Sequence, residues 1–417
     1  IYTQQLDQMQ RKLLVAFSVY REPVSLDAAN AVIDDKTQMS DMQMQAALDA
    51  LLAQHLLQAP GEGRYQLHAI VEDYAKGHFV EGDEQANHRA MIVAHAKAAQ
   101  YYQQKAATSC PPQGERRKVS DVHDLIEAIW QLCQAEQRGE AYDLMEQEDI
   151  FSDLKLWGGN AILLELYQLL LPLDKWQPER TQALDIYNGL GQIYRALGNM
   201  EQAWEKYERA LSICREIKDR RMEGWVLNNL GQVYNDLGQE EEALKYYEEA
   251  LNIRKEVGDR TGEGTTLNDL GRVYNDLGEK EEALKYYEEA LNIFRETEKH
   301  EWEGATLSNL GRVYDSLGRK GEALTYYREA LAIEREVGER AGEGYTLSHI
   351  GVLCFEQDRY DAALACFLLA RGIFEQVMSP HRDKVQGWID YLHEEVGEKQ
   401  FTGLLAQVEP QANQIVE

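Results

Sequence analysis

The second half of the chain alternates between two hydrophobic stripes, each with the spacing of an α-helix. Leu227, Leu230 and Tyr234 fall on one helical face. Gly238 then interrupts the pattern, and a second apolar stripe covers residues 243–251. The pattern therefore predicts a pair of helices joined by a short turn.

This helix pair recurs every 40 residues. A Leu-Gly or Ile-Gly pair begins each unit's signature, at residues 190–191, 230–231, 270–271, 310–311 and 350–351. An aromatic residue follows three positions after the Gly in four units, and Cys354 takes its place in the fifth. A fixed period of this size indicates stacked supersecondary units that bury their apolar faces against one another.

The repeated signature resembles that of the tetratricopeptide repeat. Four of the five units have Leu-Gly, an aromatic residue, Ala, an aromatic residue and Ala, which in one unit are residues 230–231, 234, 243, 247 and 250. The fifth departs at Ile350 and Cys354. The ordinary repeat has about 34 residues, and this longer form is similar to the repeats of kinesin light chains and Pins-type polarity scaffolds. The resemblance implies five repeats over residues 181–378 that form a right-handed superhelix, an α-solenoid. A capping helix at 380–396 and a tail complete a C-terminal segment, residues 379–417.

The resemblance also implies a concave groove, lined by the first helix of each repeat, that holds a peptide. The positions beside the buried stripe are mostly amides and arginines: Asn188, Gln192, Arg195, Asn228, Gln232, Asn235, Asn268, Arg272, Asn275, Ser308, Arg312 and Asp315. Asn can donate and accept hydrogen bonds along an extended backbone, and Arg can bind a carboxylate through two contacts. An ordinary solvated helix face is the alternative. Because Asn is a poor helix former, its recurrence favours a groove, and the arginines favour an acidic ligand segment.

Residues 1–80 show a different order of elements. Three helical segments, the third from Asp41 to Gln54, precede two short apolar runs that surround a Gly-rich turn within residues 56–67. Three helices followed by a hairpin predict a small winged-helix domain.

The end of this hairpin resembles the winged helix of STAND-class proteins, the signal-transduction ATPases with numerous domains. The segment Leu67-His68 matches the class, whereas Ala69 replaces its usual Asp. The resemblance implies that His68 contacts bound ADP in the complete protein and latches its off state; a purely structural turn or core histidine is the alternative. The nucleotide-binding domain is expected upstream, since this sequence has no G-x-x-x-x-G-K-[ST] phosphate loop. No cofactor is therefore expected in this chain, and ADP or ATP only in a complete protein.

Residues 81–180 predict a helical spacer made of degenerate helical repeats. Helical patterns cover 84–106, 120–137, 139–149 and 160–171. The charged stretch from Glu115 to Lys118 is predicted to be a mobile loop. The fold class expected for the whole chain is all-α, with tetratricopeptide repeats preceded by a winged helix.

The amino-acid composition disfavours several classes of function. The net charge of -29 opposes binding to nucleic acids and anionic membranes. The five cysteines form no C-x-x-C pair, and we expect no metal site and a cytoplasmic location. No catalytic constellation is evident, so an enzyme is not expected from this chain.

Three functions remain. The first is the ligand-sensing, autoinhibitory region of a STAND ATPase, which binds a protein or peptide and contacts an upstream nucleotide-binding domain. The second is a stand-alone scaffold for protein–protein interaction. The third is a winged-helix transcription regulator, which is disfavoured because the segment 41–54 contains no Lys or Arg. The fragment is expected to be monomeric, and the complete protein to oligomerise on activation.

Overall fold

The computed structural model describes residues 6–33, 40–61, 63–76, 84–171, 173–377, 379 and 381–416. The chain forms two compact units, Ile1–Lys206 and Tyr207–Glu417. The described residues confirm the all-α class, with one small hairpin. No described helix combines the length and the apolar character needed to cross a membrane.

The first unit begins with three helices and a β-hairpin, as the sequence predicted. These elements are α1 (Gln8–Phe17), α2 (Leu26–Val32), α3 (Asp41–Ala53), β1 (Leu57–Gly61) and β2 (Arg64–Leu67). The strands pair antiparallel, and Val24 adds an isolated bridge to Tyr65 with N···O distances of 3.0 and 2.8 Å. Leu13, Leu48 and Leu51 form the fully buried centre of this part.

The rest of the first unit is a run of helices. It contains α4 (Ala69–Lys76), α5 (Glu84–Ser109), α6 (His123–Gln134), α7 (Arg138–Gln147), α8 (Ile150–Leu156), α9 (Asn160–Leu170) and α10 (Arg180–Ala196). The next helix, α11 (Met200–Ile217), contains the boundary between the two units. The sequence pattern did not predict α8. Its seven residues are too few to show a helical period.

The prediction of a mobile loop at residues 115–118 was wrong, because Arg116 holds this segment in place. Its guanidinium is buried and donates hydrogen bonds to the backbone oxygens of Pro111 and Glu148 at 3.0 and 2.7 Å. It also pairs with Glu148 at 2.5 Å and with Asp153 at 3.0 Å. A run of charged residues in a sequence indicates a solvated segment, whereas here Arg116 is buried and connects the surrounding loops.

The second unit consists largely of helix pairs in chain order. They are α12 (Arg220–Asp236), α13 (Glu240–Val257), α14 (Arg260–Asp276), α15 (Lys280–Glu296), α16 (His300–Ser316), α17 (Lys320–Val337), α18 (Arg340–Phe355) and α19 (Tyr360–Gln376). Each first helix packs on its own second helix, and α14, α16 and α18 also pack on the preceding second helix.

Small residues let the two helices of each pair approach closely. A Cβ atom at Gly231 would lie 2.7 Å from Cε1 of Tyr247, a ring that is fully buried. Gly238 then ends the first helix with a φ of 67°, as the sequence predicted.

The C-terminal segment is more ordered than the predicted tail. The expected capping helix is α20 (His381–Val396). Two further helices follow it, α21 (Glu398–Val408) and α22 (Ala412–Val416), and both pack on α19. Val408 is fully buried there, so these helices extend the covering of the last repeat.

Candidate peptide-binding face of the repeats

The predicted groove residues lie on two units, which we describe separately. On α10 of the first unit, Asn188 is buried, and Gln192 accepts a hydrogen bond from Lys155 Nζ at 2.6 Å. Arg195 on the same helix is half-buried. In the second unit, the corresponding surface of α12, α14, α16 and α18 is called the first-helix face below.

Three predicted residues of this face bridge consecutive first helices. Asn228 accepts a hydrogen bond from Thr266 at 2.8 Å, and Asn268 accepts one from Thr306 at 3.2 Å. Ser308 lies 3.2 Å from the hydroxyl of Thr346 and continues the series. These side chains therefore already connect neighbouring repeats, which the pattern of a single repeat does not reveal.

Asp269 contacts Asn228 and two further predicted residues, Gln232 and Arg272. Its Oδ2 accepts hydrogen bonds from Asn228 and Gln232, both at 2.9 Å, and its Oδ1 lies 3.3 Å from Arg272. The guanidinium of Arg272 is therefore partly neutralised within the chain. It is a weaker candidate for a ligand carboxylate than the sequence indicated.

The remaining polar positions differ in exposure. Asn275 is buried and accepts a hydrogen bond from Lys280 Nζ at 2.9 Å, whereas Asn235 is half-buried. Asp315 is half-buried, and burial together with the nearby Glu356 raises the pKa of its carboxyl, against the opposing effect of Lys320.

Arg312 keeps part of its hydrogen-bonding capacity unused. Its Nε is buried and has no hydrogen-bond partner within the part of the chain that the structure describes. His349 lies beside this guanidinium and stacks on Tyr327, with 5.6 Å between the ring centres and 3° between the planes. Burial and the charge of Arg312 lower the pKa of His349 to about 4, so this imidazole is neutral at pH 7.

Arg312 lines a cleft of about 380 Å³ between α16 and α18. Two aromatic side chains at this cleft are unusually exposed, Trp302 at 45% and Tyr345 at 38%. Ser308, Asn309 and His349 also contribute to the lining. The cleft thus combines apolar surface with a few polar groups, the usual composition of a binding site.

Glu334 lies at the floor of this cleft and is only 3% exposed. One carboxylate oxygen accepts a hydrogen bond from Thr346 at 3.1 Å, and the other has no partner among the described residues. Burial raises the pKa of Glu334 to about 7; Thr346 opposes this shift, while Glu339 and Glu343 add to it. Such a buried, half-satisfied carboxyl is costly unless something else neutralises it.

Sequence reasoning found Ser308 and Arg312 but missed the other residues of the cleft. A usable signal was the departure from the repeat at three positions. Trp302 replaces the Gly of two other repeats, and Tyr345 replaces the Thr and Ala of the third and fourth repeats, although the second has Trp225. Glu334 replaces the Phe of the third and fifth repeats, although the second has Arg254. A charged residue at a buried position that holds Phe in both neighbouring repeats is a sign of a site.

His68, the predicted latch, lies between β2 and α4. Its side chain is exposed, and its carbonyl accepts hydrogen bonds from the amides of Val71 and Glu72 at 2.8 and 3.0 Å. The backbone of His68 thus starts α4, and its imidazole is exposed to solvent.

One cluster in the first unit has the composition of a cation site. Ligand atoms of Glu22, His123 and Glu127 lie within 4.8 Å of one another. Arg21 already pairs with Glu127 at 2.6 Å, and His123 Nε2 lies 3.0 Å from Glu22. An internal ion-pair network therefore explains this cluster.

Comparison with solved structures finds several proteins with helical repeats. One is the STAND protein PH0952 from Pyrococcus horikoshii, which has a tetratricopeptide repeat sensor: it shares 16% identity and a TM-score of 0.41, over 99% of this chain and 66% of that one. Aspartyl phosphate phosphatase F from Bacillus subtilis shares 12% identity and a TM-score of 0.49, over 88% and 94% of the chains. BtubC from P. vanneervenii shares 21% identity and a TM-score of 0.38, over 59% and 91%.

Comparison of the sequence with known families gives a more direct result. No curated protein matches the chain. The family model described as the tetratricopeptide repeat matches residues 182–256 and 258–336. These two segments are tetratricopeptide repeats, as the Leu-Gly, aromatic and Ala signature predicted.

Proposed function

We propose that the second unit binds a segment of a partner protein on its first-helix face. In the complete protein, this binding would serve as the sensor of a STAND-class ATPase and relieve its autoinhibition. The tetratricopeptide repeats support the general role, because repeats of this kind suggest protein–protein interaction. The finer role depends on the hairpin and His68 in the first unit.

The observation that carries the proposal is the cleft between α16 and α18. A buried nitrogen of Arg312 has no partner among the described residues, and the exposed rings of Trp302 and Tyr345 lie at the same cleft. Buried polar atoms in folded proteins are nearly always paired. Trp, Tyr and Arg are also the residues that contribute most binding energy at protein interfaces.

Arg312 is the expected anchor of the bound segment. Unlike Arg272, it has no carboxylate within ion-pair distance among the described residues. A ligand carboxylate at Arg312 would complete its hydrogen bonding, and Ser308 and Asn309 line the cleft beside it. The ligand is therefore proposed to carry an acidic residue at this position.

The first unit supports the assignment to a STAND protein. Its three helices, hairpin and Val24–Tyr65 bridge agree with a winged helix, and His68 follows the hairpin with an exposed side chain. The nucleotide would be held mainly by a phosphate-loop domain, which this sequence lacks. His68 would then contribute one contact to ADP.

The scaffold alternative uses the same first-helix face but involves no switching. The two are distinguished by whether ligand binding changes the nucleotide turnover of the complete protein. The DNA-binding alternative is disfavoured by α3, which contains Asp41 and Asp49 but no Lys or Arg.

Selection of peptides from a random library on the purified chain tests the proposed function. Amide hydrogen exchange of the chain with the tightest selected peptide should show slower exchange in α16 and α18. Failure to select any peptide, or protection confined to the second helices α13, α15 and α17, would count against the proposal.

A further inference from the structure

We infer that the cleft between α16 and α18 accepts a Lys or Arg side chain of the bound segment, with Glu334 as its counter-charge. This inference rests on the proposed function and adds a basic residue to the acidic one expected at Arg312. The ligand class becomes a segment that carries both charges at a fixed separation.

The two ends of the cleft differ in charge. Glu301 and Glu339 lie at the end where α16 and α18 begin, whereas Arg312 and His349 lie further along the helices. At 1.5 Å per residue, Glu301 and Arg312 are about 16 Å apart along the axis of α16. Among the described lining residues, the first end has no Lys or Arg, so it favours a cation.

Glu334 occupies a place that aromatic rings fill in the neighbouring repeats. In the third repeat Phe294 stacks on Trp302 at 6.1 Å, and in the fifth Phe374 meets Tyr345 at 5.1 Å. The fourth repeat has a carboxyl in this apolar layer, with one oxygen lacking a partner among the described residues. An apolar residue would pack there with less cost, so the position of Glu334 indicates a partner from outside the chain.

The nearby arginines do not supply this partner. Arg335 and Arg340 both bind Glu343, the former at 2.9 Å. Glu339 is also engaged, since its side chain accepts the amide of Gly342 at the start of α18. A bound cation would therefore pair with Glu334, because one oxygen of this buried carboxyl has no hydrogen-bond partner among the described residues.

The aromatic residues of the cleft also favour a bound Lys or Arg side chain. Trp302 and Tyr345 contribute exposed rings to this end of the cleft. A guanidinium or ammonium group over such a ring is attracted by the negative face of its π-system. Two rings and a buried carboxylate together resemble the chemistry by which proteins recognise Lys and Arg.

Binding of the cation should depend on pH. Glu339 and Glu343 face Glu334 and oppose its ionisation, Thr346 favours it, and Glu301 lies on the opposite helix. Because the pKa of Glu334 is about 7, the carboxyl is increasingly neutral below that pH. Affinity for a cationic probe should thus rise between pH 6 and pH 8.

Blocked decapeptides of Ala and Gly with one Arg and one Glu at variable spacing are suitable probes. A matched set replaces Arg with citrulline, which has the same shape but no charge. On the wild-type chain at pH 8, the best Arg peptide should bind at least tenfold tighter than its citrulline partner. Glu334→Gln and Glu334→Phe should abolish this difference, and Glu336→Gln, an exposed control on the same helix, should preserve it.

The outcomes separate the inference from the proposed function. Equal binding of the Arg and citrulline peptides to the wild type would overturn the inference, and so would a preference that survives in Glu334→Gln. If Arg312→Ala still weakens both peptide sets, the proposed function stands without the cation site. Absence of binding by every probe would also reject the inference, while the library selection decides the proposed function independently. Circular dichroism of both Glu334 variants controls for folding.

Discussion

At the residue scale, the contact between a glycine and a tyrosine sets how closely the paired helices approach. A Cβ atom at Gly271 would lie 2.8 Å from Cδ1 of Tyr287, and at Gly311 it would lie 2.7 Å from the ring of Tyr327. Because Tyr287 and Tyr327 are fully buried, their rings have little room to move. Each pair therefore tolerates only glycine without a shift of its backbone.

Gly271→Ala is expected to lower the free energy of unfolding by about 1–3 kcal/mol through overpacking. Gly271→Leu should cost more. Gly372→Ala is the matched control, because it lies inside α19 with no atom within 4 Å of the added Cβ. This change should stabilise by roughly 0.5–1 kcal/mol. Thermal and urea unfolding followed by circular dichroism measure both effects, and equal stability of the two variants would refute the close approach.

Glu334 provides a second residue-scale prediction, in the absence of ligand. Its folded pKa of about 7 exceeds the ordinary 4.5, so the folded state binds the proton more tightly and loses stability as pH rises from 4.5 to 7. Glu334→Gln removes this loss. At pH 8 the variant should be more stable than the wild type by roughly 3 kcal/mol, and the difference should vanish near pH 4. Unfolding midpoints across this range test the sign, and a less stable variant at pH 8 would contradict it.

At the element scale, a buried glutamate in the first turn of each first helix connects successive helix pairs. Glu263 at the start of α14 pairs with Arg260 at 2.6 Å and with Lys255 of the preceding helix at 3.8 Å. The same arrangement recurs at Glu223, Glu303 and Glu343. A carboxylate at a helix N-terminus also interacts favourably with the helix dipole.

Glu263→Gln should therefore destabilise the second unit by about 1–3 kcal/mol, because two cations lose their buried partner. Glu289→Gln is a suitable control, since Glu289 lies 3.8 Å from the same Lys255 but is 53% exposed. Its loss should cost about 0.5 kcal/mol or less. Denaturant titration measures both free energies of unfolding. An equal loss of stability in the two variants would contradict this prediction.

The sequence predicts elements well where they repeat and poorly where contacts cross between elements. The 40-residue period and the left-handed Gly238 follow from local chemistry, and the structure confirms both. The bonds from Thr266 to Asn228 and from Thr306 to Asn268 depend on the register of neighbouring helices, which no single repeat contains. For the same reason the sequence predicted only Ser308 and Arg312 among the residues that line the cleft.

At the scale of the whole molecule, the two compact units support different parts of the proposed role. The first carries the hairpin and His68, and the second carries the first-helix face. The chain has a net charge of -29, so long-range attraction does not favour an acidic ligand. Binding is expected to depend on short contacts in the cleft more than on electrostatic steering.

Under the proposed STAND role, His68→Ala in the complete protein is expected to loosen the ADP-bound off state and raise the basal ATPase rate. The reason is the loss of one hydrogen bond to the nucleotide from an exposed imidazole. His88→Ala, which removes another largely exposed histidine of the first unit, is the control and should leave the rate unchanged. If the His68 variant kept the basal ATPase rate of the wild type, His68 would serve only to start α4.

The central claim is that a partner segment binds at the α16–α18 cleft through Arg312. Its most direct test is calorimetric titration of the tightest library peptide into the wild type, Arg312→Ala and Arg328→Ala, where Arg328 is an exposed arginine of α17. Arg312→Ala should weaken binding at least tenfold, a loss of about 1.4 kcal/mol, with an unchanged circular dichroism spectrum. Arg328→Ala should bind within about twofold of the wild type, as a surface charge outside the cleft. Unchanged affinity of Arg312→Ala would contradict the account and place recognition on another surface of the chain.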